Sequence, residues 1–126
     1  LDDDENAAAH LTTSLDIALM SRELLNHEEI RNYTTVWMDS VRNGTFGLSN
    51  TNKLIRFYPG ATGLKTGFTT PAGNCLLSYA QVGDKNYIIG VFECLHPEDR
   101  FADTLLLLMR VMGEPITAPQ PVTEGE

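Results

Sequence analysis

Between Gly63 and Phe92 the sequence sets out three strand-forming segments separated by two turn signals, and a Pro-opened amphipathic helix follows at once. No other feature constrains the fold as strongly. Connections this short cannot hold a crossover helix, so the strands must run antiparallel. Residues 63–69 read as the first strand, Thr70-Pro71-Ala72-Gly73 as a turn, and residues 74–82 as the second strand. Gly83-Asp84-Lys85-Asn86 then turns into Tyr87-Ile88-Ile89-Gly90-Val91-Phe92, a short apolar run of the kind that sits in a sheet covered on both faces. Pro97 opens the helix, with Glu98 and Asp99 in the first turn complementing its dipole, and Gly113 with Pro115 closes it. Phe101, Leu105, Leu108, Met109 and Met112 recur at helical spacing and form the stripe expected to be buried.

The front half adds a helix and a hairpin. Thr12-Thr13-Ser14-Leu15-Asp16 offers capping hydroxyls and an early carboxylate, and Ile17, Met20 and Leu24 follow at helical spacing, which predicts a helix over residues 13–25. Asn26-His27 stops it, and residues 28–33 suit one more short helical turn. Val36 to Val41 is rich in strand formers and leads into Arg42-Asn43-Gly44-Thr45, where Asn-Gly tolerates the left-handed angles of a tight hairpin returning through residues 46–49. Asn50-Thr51-Asn52-Lys53-Leu54-Ile55 resembles a capped single helical turn. Helix, hairpin, three antiparallel strands and helix make an α+β layout.

The chain has 126 residues and a formal charge of -8, but the charge belongs to its ends. Four acids fall in residues 2–5 and three more after Gly113, while residues 6–113 carry 10 acids against 9 bases. A near-neutral body without a basic patch argues against nucleic acid, which is bound through Lys and Arg, and against an anionic lipid surface. No apolar run nears the roughly 18 residues of a membrane span. Residues 1–113 are expected to form the folded part and residues 114–126, rich in Pro, Thr and Glu, a disordered acidic tail. The acidic start lacks both parts of an export signal and an initiator Met, so the chain reads as trimmed.

Lys65-Thr66-Gly67 is the sharpest chemical signal. Lys-Thr-Gly is one of three signatures of the serine β-lactamases and penicillin-binding proteins, beside Ser-x-x-Lys and Ser-Asp-Asn. The lysine sets a positive charge beside a nucleophilic serine and a carboxylate-bearing substrate. The threonine hydroxyl can hydrogen-bond that carboxylate, and the glycine lets substrate backbone lie against the strand. A solvated lysine on an edge strand would give the same tripeptide, so its surroundings decide.

Those surroundings are distinctive. Asn50-Thr51-Asn52-Lys53-Leu54, Gly63-Leu64-Lys65-Thr66-Gly67-Phe68-Thr69, Ala72-Gly73 and Cys75-Leu76 together resemble the serine-type D-alanyl-D-alanine carboxypeptidases, the low-molecular-mass penicillin-binding proteins. The stretch from His10 to Glu23, Trp37-Met38-Asp39 and the Asn-Gly hairpin add to the likeness, which runs from Leu1 to about Met112. The resemblance implies part of a β-lactamase/transpeptidase-like fold: the C-terminal part of a catalytic domain. It also implies a hydrolase of cell-wall metabolism. The parent would acylate its serine with a peptidoglycan stem peptide, release D-Ala and hydrolyse the acyl-enzyme, and β-lactams would block it. In this sequence Lys65 would be the electrostatic partner of the nucleophile, and Thr66 a ligand of the substrate carboxylate. Gly67 would give clearance, and the backbone N–H of Phe68 an oxyanion-hole donor. Arg100 matches a family arginine near the carboxylate site, and it equally fits a surface salt bridge on its helix. No metal or organic cofactor is implied. The parent is expected to work outside the cytoplasmic membrane, reached by an export signal before Leu1, with membrane contact only through segments beyond this chain.

One part of the pattern is missing. The serines are Ser14, Ser21, Ser40, Ser49 and Ser78, and none is followed at the required spacing by the Lys of Ser-x-x-Lys or the Asn of Ser-x-Asn. In the family both motifs lie N-terminal to this region, and a nucleophile needs its base within hydrogen-bond reach. The 126 residues are therefore expected to be inactive unaided. A noncatalytic module of the same fold, self-associating through the uncovered core face, is the alternative, and a β-lactamase fragment a weaker third.

The remaining candidates carry less. His10, His27 and His96 lack metal-ligand spacing and are taken as structural or surface residues, and Asp16 and Asp39 as structural. If Val82 pairs with Tyr87, the same register sets Cys75 opposite Cys94. Free thiols and a bridge then both stand, with free thiols favoured because only the closer kind of pair suits a disulfide. Trp37 is read as a packing aromatic.

Overall fold

A computed structural model describes residues 11–113. The acidic start with His10 and the tail assigned to residues 114–126 lie outside the described residues. The described elements are α1 (Ser14–Leu24), α2 (Glu28–Thr34), β1 (Met38–Val41), β2 (Phe46–Ser49), α3 (Leu54–Phe57), β3 (Ala61–Thr69), β4 (Gly73–Val82), β5 (Lys85–Cys94) and α4 (Asp99–Met112). The α+β layout expected from the sequence is present.

Local chemistry accounts for the helix ends. Thr13 Oγ1 accepts from the Asp16 N–H at 3.1 Å and donates to Asp16 Oδ2 at 2.8 Å, so one cap uses the hydroxyl and the carboxylate together. At the other end of the chain Gly113 takes φ 74° as the left-handed residue after α4, and its N–H donates back to Arg110 and Met109 carbonyls.

β3, β4 and β5 form an antiparallel sheet in that order, with β4 central. Leu76, Ser78 and Ala80 of β4, together with Ile89 and Val91 of β5, are buried on the face covered by α4. There Leu108 and Phe101 complete two adjoining apolar clusters. Leu76 and Leu108 are both 0% exposed, which places the centre of the core between β4 and α4. α1 lies over β5 on the opposite face, and its cover is partial: Leu15, Leu19, Met20 and Leu24 remain exposed.

Several details differ from the sequence reading. The second turn uses two residues, not four: Val82 faces Lys85, with Gly83 at φ 62° as the first of the two turn residues. Nearer the other end of the pair, Leu76 faces Val91 whereas Asn74 faces Cys94, so Phe92 and Glu93 share the place opposite Cys75. This is a β-bulge, with Glu93 at φ 61°. Cys94 therefore opposes Asn74 instead of Cys75, and both thiols are free. The run at residues 87–92 is not covered on both faces, since Gly90 and Phe92 are exposed on the α1 side. In α4 the buried stripe is Phe101, Thr104 and Leu108, while Met112, the last helical residue, is exposed. Thr104 is tolerated at the core because its hydroxyl donates to the Arg100 carbonyl at 2.7 Å.

The β1–β2 hairpin is exposed throughout. Asn43 and Gly44, at φ 55° and 82°, are the central residues of its turn, closed by the Thr45 N–H donating to the Arg42 carbonyl at 3.2 Å. Trp37 packs beside Phe57, ring centroids 6.5 Å apart, and Arg56 lies over both rings. Its role as a packing aromatic is borne out.

Candidate functional site

β3 is an edge of its sheet and carries Lys65, Thr66, Gly67 and Phe68. The register sets Lys65 opposite Leu77, Thr66 opposite Leu76, Gly67 opposite Cys75 and Phe68 opposite Asn74. Alternation along a strand then puts Lys65 and Gly67 on the α1 side and Thr66 on the α4 side. Lys65 is exposed and its ammonium donates to the Thr66 carbonyl. Phe68 is 63% exposed.

Gly67 is informative because the chain itself does not require a glycine there. Its φ is outside the left-handed region, and a Cβ built on it would meet no atom within 4 Å. Gly63 is the contrast: it has φ 147°, and a Cβ would stand 2.9 Å from the Thr34 side chain. One glycine is needed to pack α2 on β3. The other clears open space beside a lysine.

Arg100, in the first turn of α4, reaches the same strand. Its Nη1 donates to the Gly67 carbonyl at 3.4 Å, and the guanidinium lies 5.0 Å from the centre of the Phe101 ring. Its Nε is buried without a hydrogen-bond partner. Among the described residues neither Arg100 nor Lys65 is paired with a carboxylate, whereas Lys53 is, with Glu98 at 3.2 Å. The surface salt bridge weighed for Arg100 is therefore absent from the described residues. Two cations instead converge on the Lys65–Gly67 strand, one from the strand and one from the helix behind it.

The strand is held by contacts that sequence reasoning passed over. Asn52, 1% exposed, donates from Nδ2 to the Gly63 carbonyl at 3.0 Å and accepts from the Leu54 N–H at 3.2 Å. Its neighbour Thr51 is exposed, and the two hydroxyls of Thr51 and Thr66 are in hydrogen-bond contact. Thr34 donates from its hydroxyl to the Thr62 carbonyl at 2.6 Å. The signal for the first two was Asn50-Thr51-Asn52, read from sequence as a helix cap and as part of the family likeness, with no contact to β3 assigned to it.

Beside Lys65 and Gly67 lies a cavity of about 590 Å³, lined on one side by Ile17, Met20, Ser21 and Leu24 of α1 and on the other by Cys75, Leu77 and Phe92. Its walls are almost wholly apolar, with Lys65 at the rim. Cys94 is on the other face, in the α4 core. Burial raises its thiol pKa, the nearby Asp103 and Asp99 raise it further, and Arg100 opposes them. His27 and His96 are both exposed and belong to different parts of the chain, one before α2 and one before α4.

An edge strand with Lys-Thr-Gly, a helix behind it and a second helix across the opposite face define a class, that of the penicillin-binding and DD-transpeptidase proteins. The chain superposes on penicillin-binding protein D2 from Listeria monocytogenes in its cefotaxime-bound form with a TM-score of 0.78 and 33% identity, over 90% of this chain and 45% of that one. A mutant DD-transpeptidase from Streptomyces, at 24% identity, shares the fold with a TM-score of 0.73 over 84% of this chain and 44% of that one. The sequence profile of the D-alanyl-D-alanine carboxypeptidases matches residues 1–95. The D-alanyl-D-alanine carboxypeptidase DacF of Bacillus subtilis (strain 168) is 40% identical over 102 residues, 79% of this chain and 26% of that protein. The chain belongs to the D-alanyl-D-alanine carboxypeptidase family. It spans about a quarter of the length of that curated relative and less than half of either solved structure.

Proposed function

We propose that this chain is the substrate-carboxylate side of a serine D-alanyl-D-alanine carboxypeptidase acting on peptidoglycan stem peptides outside the cytoplasmic membrane, and that β-lactams acylate the same site. The observation that carries the reading is Gly67: open space above an edge strand, with Lys65 on that strand unmatched by a carboxylate among the described residues and Arg100 at the Gly67 carbonyl. An extended peptide can lie along such an edge, and its terminal carboxylate meets positive charge without displacing an internal ion pair. Lys65 and Arg100 supply that charge and Thr66 a hydroxyl. The backbone N–H of Phe68 serves the oxyanion.

The nucleophile comes from a Ser-x-x-Lys segment outside these 126 residues. The apolar cavity beside Lys65 is the seat we assign to it, since this is the sheet face that α1 leaves partly uncovered. The serine Oγ attacks the carbonyl carbon of the penultimate D-Ala and its proton passes to the leaving amine. The C–N bond breaks, and D-Ala departs with its carboxylate. Water then attacks the ester carbonyl, giving one proton to the serine and the other to solvent, and leaves the shortened peptide as its carboxylate.

Labelling with a fluorescent penicillin tests the reading. The whole protein should label covalently, and Lys65→Ala should reduce labelling by about 100-fold or more, as loss of a charge in such a site does. The 126-residue chain alone should stay unlabelled. Covalent labelling of that chain alone, or full labelling of the whole protein after Lys65→Ala, would overturn it. A second reading, self-association of the chain through its α1 face, is supported by the exposed Leu15, Leu19 and Met20. Sedimentation of the chain alone tests it: a monomer across the micromolar range would end it.

A further inference from the structure

Thr51 is an exposed residue held with unusual firmness. On one side of it Asn50 donates from Nδ2 to the Val36 carbonyl at 3.0 Å and accepts from the Asn52 N–H at 2.9 Å. On the other side buried Asn52 ties the loop to β3 through the Gly63 carbonyl. Both flanking asparagines thus spend their amides on fixing the backbone around Thr51. What that backbone presents is one hydroxyl, in contact with Thr66 Oγ1. Thr66 is 7% exposed, so its hydroxyl has few other partners.

Two hydroxyls in contact share one proton between them. If Thr66 donates to Thr51, Thr66 has no proton left for a ligand. If Thr51 donates, the Thr66 proton is free to point elsewhere. A carboxylate is an acceptor only and selects the second arrangement. A chain in which one hydroxyl donates to the next and the next to an anion is polarised along its length, which strengthens the last bond.

We propose that Thr51 is a positioning residue for carboxylate recognition: its hydroxyl donates to Thr66 and turns the Thr66 proton toward the ligand's carboxylate. This rests on the reading of Thr66 as a carboxylate ligand. Thr51 does not touch the reacting atoms in this scheme, and its effect passes through Thr66.

The test uses the whole protein and compares acylation by a penicillin with acylation by its methyl ester, which lacks the anionic carboxylate. Thr51→Val keeps shape and removes the donor. It should slow acylation by the free acid by about 3- to 10-fold, the range of one neutral hydrogen bond, leave the ester's rate unchanged and leave the unfolding temperature unchanged. Thr51→Ser should restore the free-acid rate. Equal slowing toward acid and ester, or no slowing toward the acid, overturns the proposal. Thr66→Val separates the two layers. If it erases the preference for the acid while Thr51→Val does nothing, Thr66 is the ligand and Thr51 is not its donor. If neither variant alters that preference, the carboxylate reading of Thr66 fails as well.

Discussion

The two faces of the β3–β4–β5 sheet are finished to different degrees. On the α4 face, Leu76, Ala80 and Leu108 are 0% exposed and even the polar Ser78 and Thr104 are sealed in. On the α1 face, a helix of similar apolar content leaves Leu15 and Met20 more than 60% exposed and borders an open cavity that Lys65 helps to line. The difference separates two uses of apolar residues. The α4 face holds the sheet together, whereas the α1 face stays partly open among the described residues, and the candidate chemistry sits where that open face meets the sheet's edge.

The largest effect should come from cutting into the finished face. Leu108→Ala should cost about 2–5 kcal/mol in urea unfolding, while Leu19→Ala on the open face should stay within about 0.5 kcal/mol. Equal losses would show that α1 is as deeply committed to the core as α4, breaking the comparison. Asn52→Ala comes next. It leaves the buried Gly63 carbonyl without its side-chain donor, which should cost about 1–3 kcal/mol, measured the same way. Gly67→Ala should separate stability from binding. A methyl there meets no protein atom, so the urea midpoint should hardly move. Penicillin labelling of the whole protein should nonetheless fall steeply if that space receives a ligand.

The smallest effect concerns the thiols. Iodoacetamide should modify Cys75, which lines the cavity, well before Cys94, which is 8% exposed. Because the Cys94 pKa is raised by folding from its ordinary 9.0, its contribution to stability is full below that value. It is lost as pH climbs through the higher folded value, where the unfolded chain releases the proton first. Urea midpoints above pH 9.0 should therefore fall, and Cys94→Ala should flatten that part of the decline.

Much of this was legible in the chain. Thr13 with Asp16 marked the start of α1, Asn43-Gly44 the hairpin turn, and Gly113 the end of α4, because each is a local conformational demand that few residues satisfy. Lys65-Thr66-Gly67 and its neighbours carry the family likeness in the sequence itself. The register of β5 was not legible. Gly83-Asp84 alone suffices for a turn, yet Lys85-Asn86 look equally turn-like, and nothing in the spacing of apolar residues marks the extra residue at the Phe92–Glu93 bulge. The relation of Thr51 to Thr66 was hidden for another reason. The two are 15 residues apart, and only the folded path of the loop over β3 brings their hydroxyls together.

The bulge at Glu93 has a practical consequence. By placing one thiol in the α4 core and leaving the other on the cavity wall, it gives the sheet two chemically distinct cysteines, one on each side. A fluorophore or spin label attached to Cys75 would sit opposite Gly67, diagonal to Lys65, and its signal would follow the filling of that cavity. Cys94, unlabelled, would report global unfolding only when it became reactive. These 126 residues thus carry a local and a global reporter in their own two cysteines.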